Sequence, residues 1–571
     1  MLREQLDVVQ SDSWRTPLEA GCIGQYRLII AASWIRGYSP VMASSRIPLI
    51  VAPLRPLTMV IFLGTLFTAC ARTEAKPENG QVMLQGIVYE DVNSNGVRDE
   101  REKGLARVRV SNGRDVIMTD VRGRWHLPAG PDDTIFVIKP RNWISPLDEN
   151  GLPKFFYVHN PEGSPDGLKY AGVEPTPEDP GPINFPLHRH PESSPFSVIL
   201  LGDPQSRNLK EVDYLARDVI EPLVGSDAVF GVGLGDLVFD DLNVLPAHNM
   251  VVGQTGIPWF NVHGNHDMNF LAEGDAHSDE TWQRLYGPPT YSYDWGTAHF
   301  IVIDDVVYDG NNSYHGEFTE DVLTFIEADL KEIGKETLVV LFMHIPLSGV
   351  RNADALLRLL ADRPNVLAIT AHYHMQKHEF IDFPEDTGRK EPLHHLINGT
   401  ACGSWWKGEP DEYGVPHAMM QCGAPNGSML LNITDFDYSL RFVPAKMDPA
   451  QQMHIFLPGS IPAGDATGTE VVANIWAGSS KSAVRMRVDG GDWVPMTRDE
   501  RPDPYYEMAV MAESMNSNPQ ALTMSKPRQS PHIWVAPLPA GLETGGHIVE
   551  VETTDMFGQI DRGKRIFRIT G

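Results

Sequence analysis

Between residues 82 and 138, apolar and polar positions alternate in short runs: 82–89, 106–111, 115–119, 124–127 and 134–138. Period-two alternation broken by Gly, Asp and Asn predicts half-buried strands in a small β-sandwich. From Phe196 the pattern changes. The runs 197–201, 228–232, 259–262, 299–303, 337–342 and 366–370 are almost wholly apolar. Between them, 209–224, 319–333 and 353–361 carry apolar residues at helical spacing. Apolar strands separated by amphipathic helices predict an α/β core whose sheet is covered on its faces. Alternation returns at 470–476, 483–488, 532–535, 546–552 and 565–569, with Asp489-Gly-Gly-Asp as a hairpin turn. That spacing predicts an immunoglobulin-like sandwich. Residues 145–195 are crowded with Pro, Gly and Glu and predict a linker wrapped on the surface. Residues 512–531 predict a polar loop.

The expected organisation has four parts: a leader and tether at 1–76, a β-sandwich at 77–192, the α/β core at 193–445 and a second β-sandwich at 446–571. Composition narrows the function. Gly 50 and Pro 45 in 571 residues favour turns and strands over a helix bundle. The net charge of -28 argues against a nucleic-acid partner, which needs clustered Lys and Arg, and leaves room for bound cations. Four cysteines rule out a disulfide scaffold. Cys402 and Cys422 fit either a disulfide or two free buried thiols.

Residues 57–69 form an apolar run of 13, too short for a bilayer but suited to a secretory signal. Its end, Leu66-Phe67-Thr68-Ala69-Cys70, resembles a bacterial lipoprotein signal with Cys70 as the lipidated residue. Phe67 departs from the usual Leu; a plain secretory cut after Ala71 is one alternative, and a retained anchor or cytoplasmic protein another. Met42 would give a leader of conventional length. This resemblance implies export to the periplasm or outer membrane, with the membrane touched only through the lipid.

Asp91-Val-Asn93-Ser-Asn95-Gly96-Val97-Arg-Asp99-Glu-Arg-Glu102 matches the calcium-loop pattern D-x-N-x-N-G-x5-E at every position. Alternate oxygen donors wrap a hard cation, Gly96 makes the turn, Val97 offers its carbonyl and Glu102 closes the shell. The flanks are strands. That resembles calcium-binding repeat domains of bacterial surface adhesins and implies a structural ion; a plain Asn-Gly loop is the alternative.

In a covered sheet, sites gather at the carboxyl ends of the strands. There the chain places Gly202-Asp203-Pro204-Gln205, Gly235-Asp236, Gly264-Asn265-His266-Asp267, Met343-His344 and Ala371-His372-Tyr373-His374. Five blocks in order, each closing an apolar run with Asp, Asn, Gln or His, are hard to explain as turns. They resemble the calcineurin-like metallophosphoesterases, across about residues 196–440. The resemblance implies a double β-sheet sandwich and two divalent cations (Mn, Mg, Fe or Zn). Asp203, Gln205 and His374 would hold one, Asn265, His344 and His372 the other, and Asp236 would bridge. His266 would face the substrate, oriented by Asp267. Gln205 stands where the family has His, which favours a harder ion.

Gly403-Ser404-Trp405-Trp406 and Gly423-Ala-Pro425-Asn426-Gly427 resemble a subgroup of secreted bacterial phosphoesterases with a core between two β-domains. Trp405 and Trp406 read as a pocket wall or as core aromatics. His263, Asp240, Arg207 and Asn398 are further candidates for phosphate or leaving-group contacts. The expected activity is hydrolysis of a phosphorylated small-molecule or envelope substrate by metal-bound hydroxide. Two alternatives stand beside it: a pyrophosphohydrolase of nucleotides or sugar nucleotides, and an envelope- or glycan-binding lipoprotein with a degenerate catalytic domain.

Overall fold

The computed structural model describes residues 80–515 and 523–571. Every described residue belongs to one compact unit, Thr73–Gly571. The expected leader, with Met42, the run 57–69 and Cys70, lies outside the described residues. Among those described, no helix is long and apolar enough to cross a membrane.

Two five- and six-stranded sheets form the core. The first runs Trp259–Asn261, Ala228–Gly233, Phe196–Leu201, Gly427–Thr434, Asp437–Pro444. The second runs Tyr291–Trp295, Ala298–Val302, Leu338–Phe342, Val366–Thr370, Leu393–Ile397, Lys377–Ile381. The alternation of a strand sorts its side chains between two layers. Val198 and Leu200 join the core between the sheets, with Phe230, Phe300 and Phe342. Ile199 and Leu201 point the other way, onto Val212, Leu215 and Val219 of the covering helix. The Phe230 ring meets Phe260, Tyr293, Trp295 and Phe300 within 5.7 Å, which fills the space between the layers.

The helices start where the sequence supplies caps. The Asn208 side chain accepts from Glu211 N at the head of Leu209–Leu215, and Thr319 accepts from Val322 N at the head of Glu320–Leu330. The helix expected at 209–224 is broken: after Leu215 it widens into a π turn and tightens into a 3-10 turn at Glu221–Leu223, where Pro222 has no N–H to continue it.

The N-terminal part is two four-stranded sheets. One is Arg124–Ala129, Val82–Glu90, Phe185–Arg189, Trp143–Ile144; the other is Val116–Met118, Arg109–Ser111, Asp133–Ile138, Phe156–His159. This corrects the expected surface linker. Phe156–His159 and Phe185–Arg189 are strands of these sheets, and Leu152, Tyr170 and Ile183 are buried. The prolines mark turns between packed segments. The C-terminal part is again two sheets, Met453–Phe456, Glu470–Ile475, Ile533–Pro537, Thr497–Arg498 and Ser460–Pro462, Ile560–Thr570, Gly545–Thr554, Ala483–Val488, Val494–Pro495. The helix Pro504–Ser514 takes the start of the expected polar loop, and 516–522 lie outside the described residues.

Buried ion pairs lock the N-terminal sheets to the core. Arg109 bonds Asp329 at 2.5 Å and Asp294 at 2.7 Å. His299 lies between the same two carboxylates, at 2.8 and 2.9 Å. Lys139 bonds Glu192 at 2.5 Å and the Asp294 carbonyl at 2.6 Å.

Candidate metal centre

Each parallel strand of the two sheets delivers its next residues to one edge of the sandwich. Asp203 and Gln205 follow Phe196–Leu201, Asp236 follows Ala228–Gly233, and Asn265 follows Trp259–Asn261. From the facing sheet come His344, His372 and His374 after Leu338–Phe342 and Val366–Thr370. All seven meet. Gln205 Nε2 donates to Asp236 at 2.8 Å. His344 Nε2 lies 3.3 Å from Asp236 Oδ1, 3.1 Å from Asn265 Oδ1 and 3.2 Å from His372 Nδ1. Asp203 accepts from the His372 backbone N–H at 3.0 Å and lies 3.6 Å from His374 Nε2. Donor atoms of Asp236, His344 and His372 all fall within 4.8 Å of one another.

The backbone beneath is strained. Asp203, Gln205, Asp236, His372 and His374 all have positive φ, between 37° and 65°. Such conformations cost about 1–3 kcal/mol each and cluster where function over-determines them. Two glycines make room for this packing. A Cβ on Gly235 would stand 2.4 Å from His344 Nδ1, and one on Gly264 would stand 2.1 Å from Asp236 N.

The imidazoles are oriented from behind. His344 Nδ1 bonds the Leu234 carbonyl at 2.9 Å and His374 Nδ1 bonds the Gly403 carbonyl at 2.6 Å, which turns both Nε2 atoms inward. Asp305, which sequence reasoning missed, is fully buried and accepts from His344 N and Ile345 N. It follows the apolar strand Ala298–Val302, so the strand-end signal that marked the other five blocks also marks it.

Burial and charge divide the site. Burial would raise the Asp236 carboxyl, yet His344 and His266 hold it well below the usual range. Burial opposes the His344 cation, but Asp236 and Asp203 outweigh it and lift its pKa to about 10. Burial lowers His372 to about 3, with His344 adding to the effect, and lowers His374 to about 4. Burial pushes Asp203 up to about 8; His344 opposes this and Asp236 adds to it. Burial thus favours the neutral imidazoles of His372 and His374, the form that offers a lone pair, while His344 and Asp203 would give up their protons to a cation.

Metal occupancy can be tested on one atom. Asp203 Oδ1 is buried without a hydrogen-bond partner, facing His374 Nε2. An orphaned carboxylate oxygen is costly unless a cation neutralises it. With Asp236, Asn265 and three imidazoles beside it, the donor set fits divalent ions.

Two expected roles need correction. The oxygens of Asp267 accept from the backbone N–H groups of Gly264, Leu237 and Val238, not from His266. Asp240 bonds His266 Nδ1 instead, at 2.6 Å, and the ring stacks on Phe239 at 4.4 Å. Asp267 is fully buried and shapes the turn that carries Asn265. Gln205 sits in the site, but its Oε1 accepts from the Trp405 indole while its amide nitrogen faces Asp236. In this orientation the amide oxygen belongs to the tryptophan.

The remaining candidates divide similarly. Trp405 stacks 4.3 Å from His374 and walls the site, whereas Trp406 is buried against Tyr214. Arg207 donates to the Trp405 carbonyl and pairs with Glu211. His263 is buried against Asp304 at 3.3 Å. Asn398 donates to Gly399 O, and its buried Oδ1 has no partner. Cys402 and Cys422 are free buried thiols.

In the Asp91–Glu102 loop, Asp91 accepts from Gly96 N at 2.9 Å, and Glu102 accepts from Val92 N and Asp99 N at 2.8 and 2.9 Å. Asn93 and Asn95 donate to Asp99, and Asn95 Oδ1 accepts from Val97 N. A second convergence of donors, Asp132, His277 and Glu280, lies elsewhere; Glu280 there already bonds Ser164 and His277.

Seven strand-end side chains thus meet at one edge of a double-sheet core. The chain matches two models of calcineurin-like phosphoesterase: that for the N terminal of Calcineurin-like phosphoesterase over residues 92–172, and that for its C terminal over 395–560. No curated protein matches. Among solved structures it is similar to purple acid phosphatase PPD1 from yellow lupin (Lupinus luteus) seeds, at 13% identity and TM-score 0.33. That alignment covers 64% of this chain and 66% of that one, just under two thirds of its length. It is also similar to CopC from Methylosinus trichosporium OB3b, at 15% identity and TM-score 0.12, covering 20% of this chain and 93% of that one.

Proposed function

We propose that the chain hydrolyses phosphate esters at a two-cation centre. The observation that carries this is the convergence of seven strand-end side chains, Asp236 among them with Gln205 and His344 against its carboxylate, and the orphaned Asp203 Oδ1 beside them. Asp203 and His374 would hold one cation, Asn265, His344 and His372 the other, with Asp236 shared. Gln205 would join the first only by giving up Trp405. When bound, such a pair supplies Lewis-acid activation of the phosphoryl group and of water.

The chain's own part is positioning and proton transfer. His266 stands on the backbone that donates to Asp236 Oδ1, and Asp240 takes its Nδ1. That leaves Nε2 to give a proton to the departing alkoxide. Phe239 and Trp405 wall the site on two sides. The degenerate-site alternative rests on Gln205 alone, while six other donors are in place.

The test is turnover of p-nitrophenyl phosphate and bis-p-nitrophenyl phosphate by the full chain under Mn, Mg, Fe and Zn, beside Asp236→Asn. We expect metal-dependent hydrolysis in the parent, and in the variant a loss of both activity and bound cation. An Asp236→Asn protein with full activity and two cations would refute the shared-carboxylate role.

We further propose structural calcium at Asp91, Asn93, Asn95, Val97, Asp99 and Glu102, supported by the spacing alone. Export and lipidation at Cys70 are proposed on the same footing.

A further inference from the structure

The convergence of Asp132, His277 and Glu280 joins parts of the fold that are far apart in sequence. Asp132 lies in the turn that opens the strand Asp133–Ile138 of the N-terminal sheets. His277 closes the 3-10 turn Asp275–His277, and Glu280 heads the helix Glu280–Tyr286 of the core. One donor atom from each lies within 4.8 Å of the other two. Tetrahedral zinc, with bonds of about 2.0–2.1 Å, sets its ligands about 3.3 Å apart, a spacing within reach of these three.

Both carboxylates are held from behind, as metal ligands are. Asn160 Nδ2 donates to Asp132 Oδ1 at 3.0 Å, and Ser164 Oγ donates to Glu280 Oε2 at 2.5 Å. That leaves Asp132 Oδ2 free and Glu280 Oε1 facing His277 Nδ1 at 2.8 Å. Glu280 is fully buried, and among the described residues neither carboxylate pairs with a lysine or arginine. His277 can cancel at most one of the two charges. Asp132 also lines a cavity of about 330 Å³ with Asp133, Asp275, Asp279 and Gln283. Gln283 is 7% exposed; its Nε2 donates to Asp279, and its Oε1 is buried without a partner. An orphaned amide oxygen beside unpaired carboxylates is an environment of acceptors that a cation satisfies.

From this geometry we propose that Asp132, His277 and Glu280 hold a zinc ion that fastens the N-terminal sheets to the core. The site is separate from the centre at Asp236 and does not rest on the function of that centre. Two carboxylates balance the charge of the ion, and a neutral imidazole adds the third ligand. The imidazole selects a borderline ion over calcium or magnesium, which prefer oxygen ligands. Three protein ligands leave a fourth position to solvent, and the His277 side chain is 44% exposed.

The experiment counts zinc on the full chain after chelation, reloading and dialysis, in the parent and in His277→Ala, Asp132→Asn and Asp236→Asn. His277→Ala and Asp132→Asn should each carry one zinc ion fewer than the parent. Their affinity at this site should fall by at least ~100-fold, the upper end of what loss of an outer partner alone costs. Asp236→Asn should keep this ion whatever it loses at the other centre. Zinc should raise the Tm of the parent more than that of His277→Ala, and with chelator present the two should melt together, since His277 is partly exposed. An unchanged zinc count in His277→Ala would overturn the inference. So would displacement of the ion by excess calcium, or its loss in Asp236→Asn alone. Each leaves the phosphoesterase reading standing, because turnover is not the readout.

Discussion

His266 shows how one side chain acquires its task from partners far away in sequence. Burial lowers its basicity, but the Asp236 charge and the bond to Asp240 outweigh that and lift its pKa to about 9. Both favour the imidazolium, the form that donates. His266→Ala should retain the cations and lower turnover of alkyl phosphates by ~10²–10⁴-fold, the usual reach of a general acid. The loss should be smaller for p-nitrophenyl phosphate, whose leaving group needs little protonation. Asp240→Asn should follow the same leaving-group pattern with a smaller loss, because it disturbs the ring without removing it. Comparing alkyl and nitrophenyl substrates on both variants checks this. Equal losses on the two substrates, or cation loss in His266→Ala, would reassign His266. The donor residues were legible in the sequence because each closes an apolar run. Asp240 was legible only as a candidate contact. Its role comes from a φ of 62° and a stacked Phe239, neither of which has a sequence signature. Asp267 was misread for the converse reason: adjacency to His266 suggested an orienting carboxylate, but the turn directs its oxygens to three backbone N–H groups.

At the scale of elements, the strands were read closely and the joints between them poorly. Long apolar runs announce buried strands whatever their neighbours, so Phe196–Leu201 and Val366–Thr370 needed no tertiary knowledge. Phe156–His159 and Phe185–Arg189 were missed because local Pro and Gly dominate their surroundings, and only pairing with distant strands makes them regular. The same long-range logic governs Arg109, which bridges from the strand Arg109–Ser111 to Asp329 on the helix Glu320–Leu330 and to Asp294. Burial would raise Asp329, but Arg109 and His299 hold it well below the usual carboxylate range, and Asp294 is lowered likewise. Burial would lower His299, but Asp329 and Asp294 raise it above 6.5. The signs are opposite. The two carboxylates contribute stability that is present above about pH 4 and lost as pH falls through their depressed values. His299 contributes stability that is present below about pH 6.5 and lost as pH rises through its raised value. The knot should therefore contribute most between those limits. Arg109→Leu leaves two buried carboxylates short of a cation and should cost about 3–5 kcal/mol. Urea unfolding of parent and variant at several pH values measures it. A cost below about 1 kcal/mol would show that the pair is not desolvated as its geometry implies. Asp329→Leu combined with Arg109→Leu should cost less than the two singles added together.

Over the whole molecule, a net charge of -28 leaves room for cations at several candidate positions. The centre at Asp236 and the loop at Asp91–Glu102 sit in different parts of the fold, and their occupancies should be separable. The Arg109 knot joins the N-terminal sheets to the core, so ion binding in the loop should register in the unfolding of Thr73–Gly571 rather than in a detached module. Calcium added to the chelated full chain should raise Tm, since a site that binds only the folded state stabilises it by RT ln(1 + [L]/Kd), about 2.7 kcal/mol at a hundredfold excess over Kd. Asp91→Ala removes a carboxylate that also holds Gly96 N at 2.9 Å, so it should abolish the calcium shift and lower the starting Tm. Asn93→Ala supplies the cleaner comparison, because it removes an oxygen donor while leaving that turn bond intact. Manganese should still raise Tm in both variants, through the other centre. A Tm indifferent to calcium would make the loop a plain hydrogen-bonded turn, with Glu102 serving Val92 and Asp99 and nothing else. A manganese shift lost together with the calcium shift would mean that the two sites are coupled through the knot, and Arg109→Leu should then uncouple them.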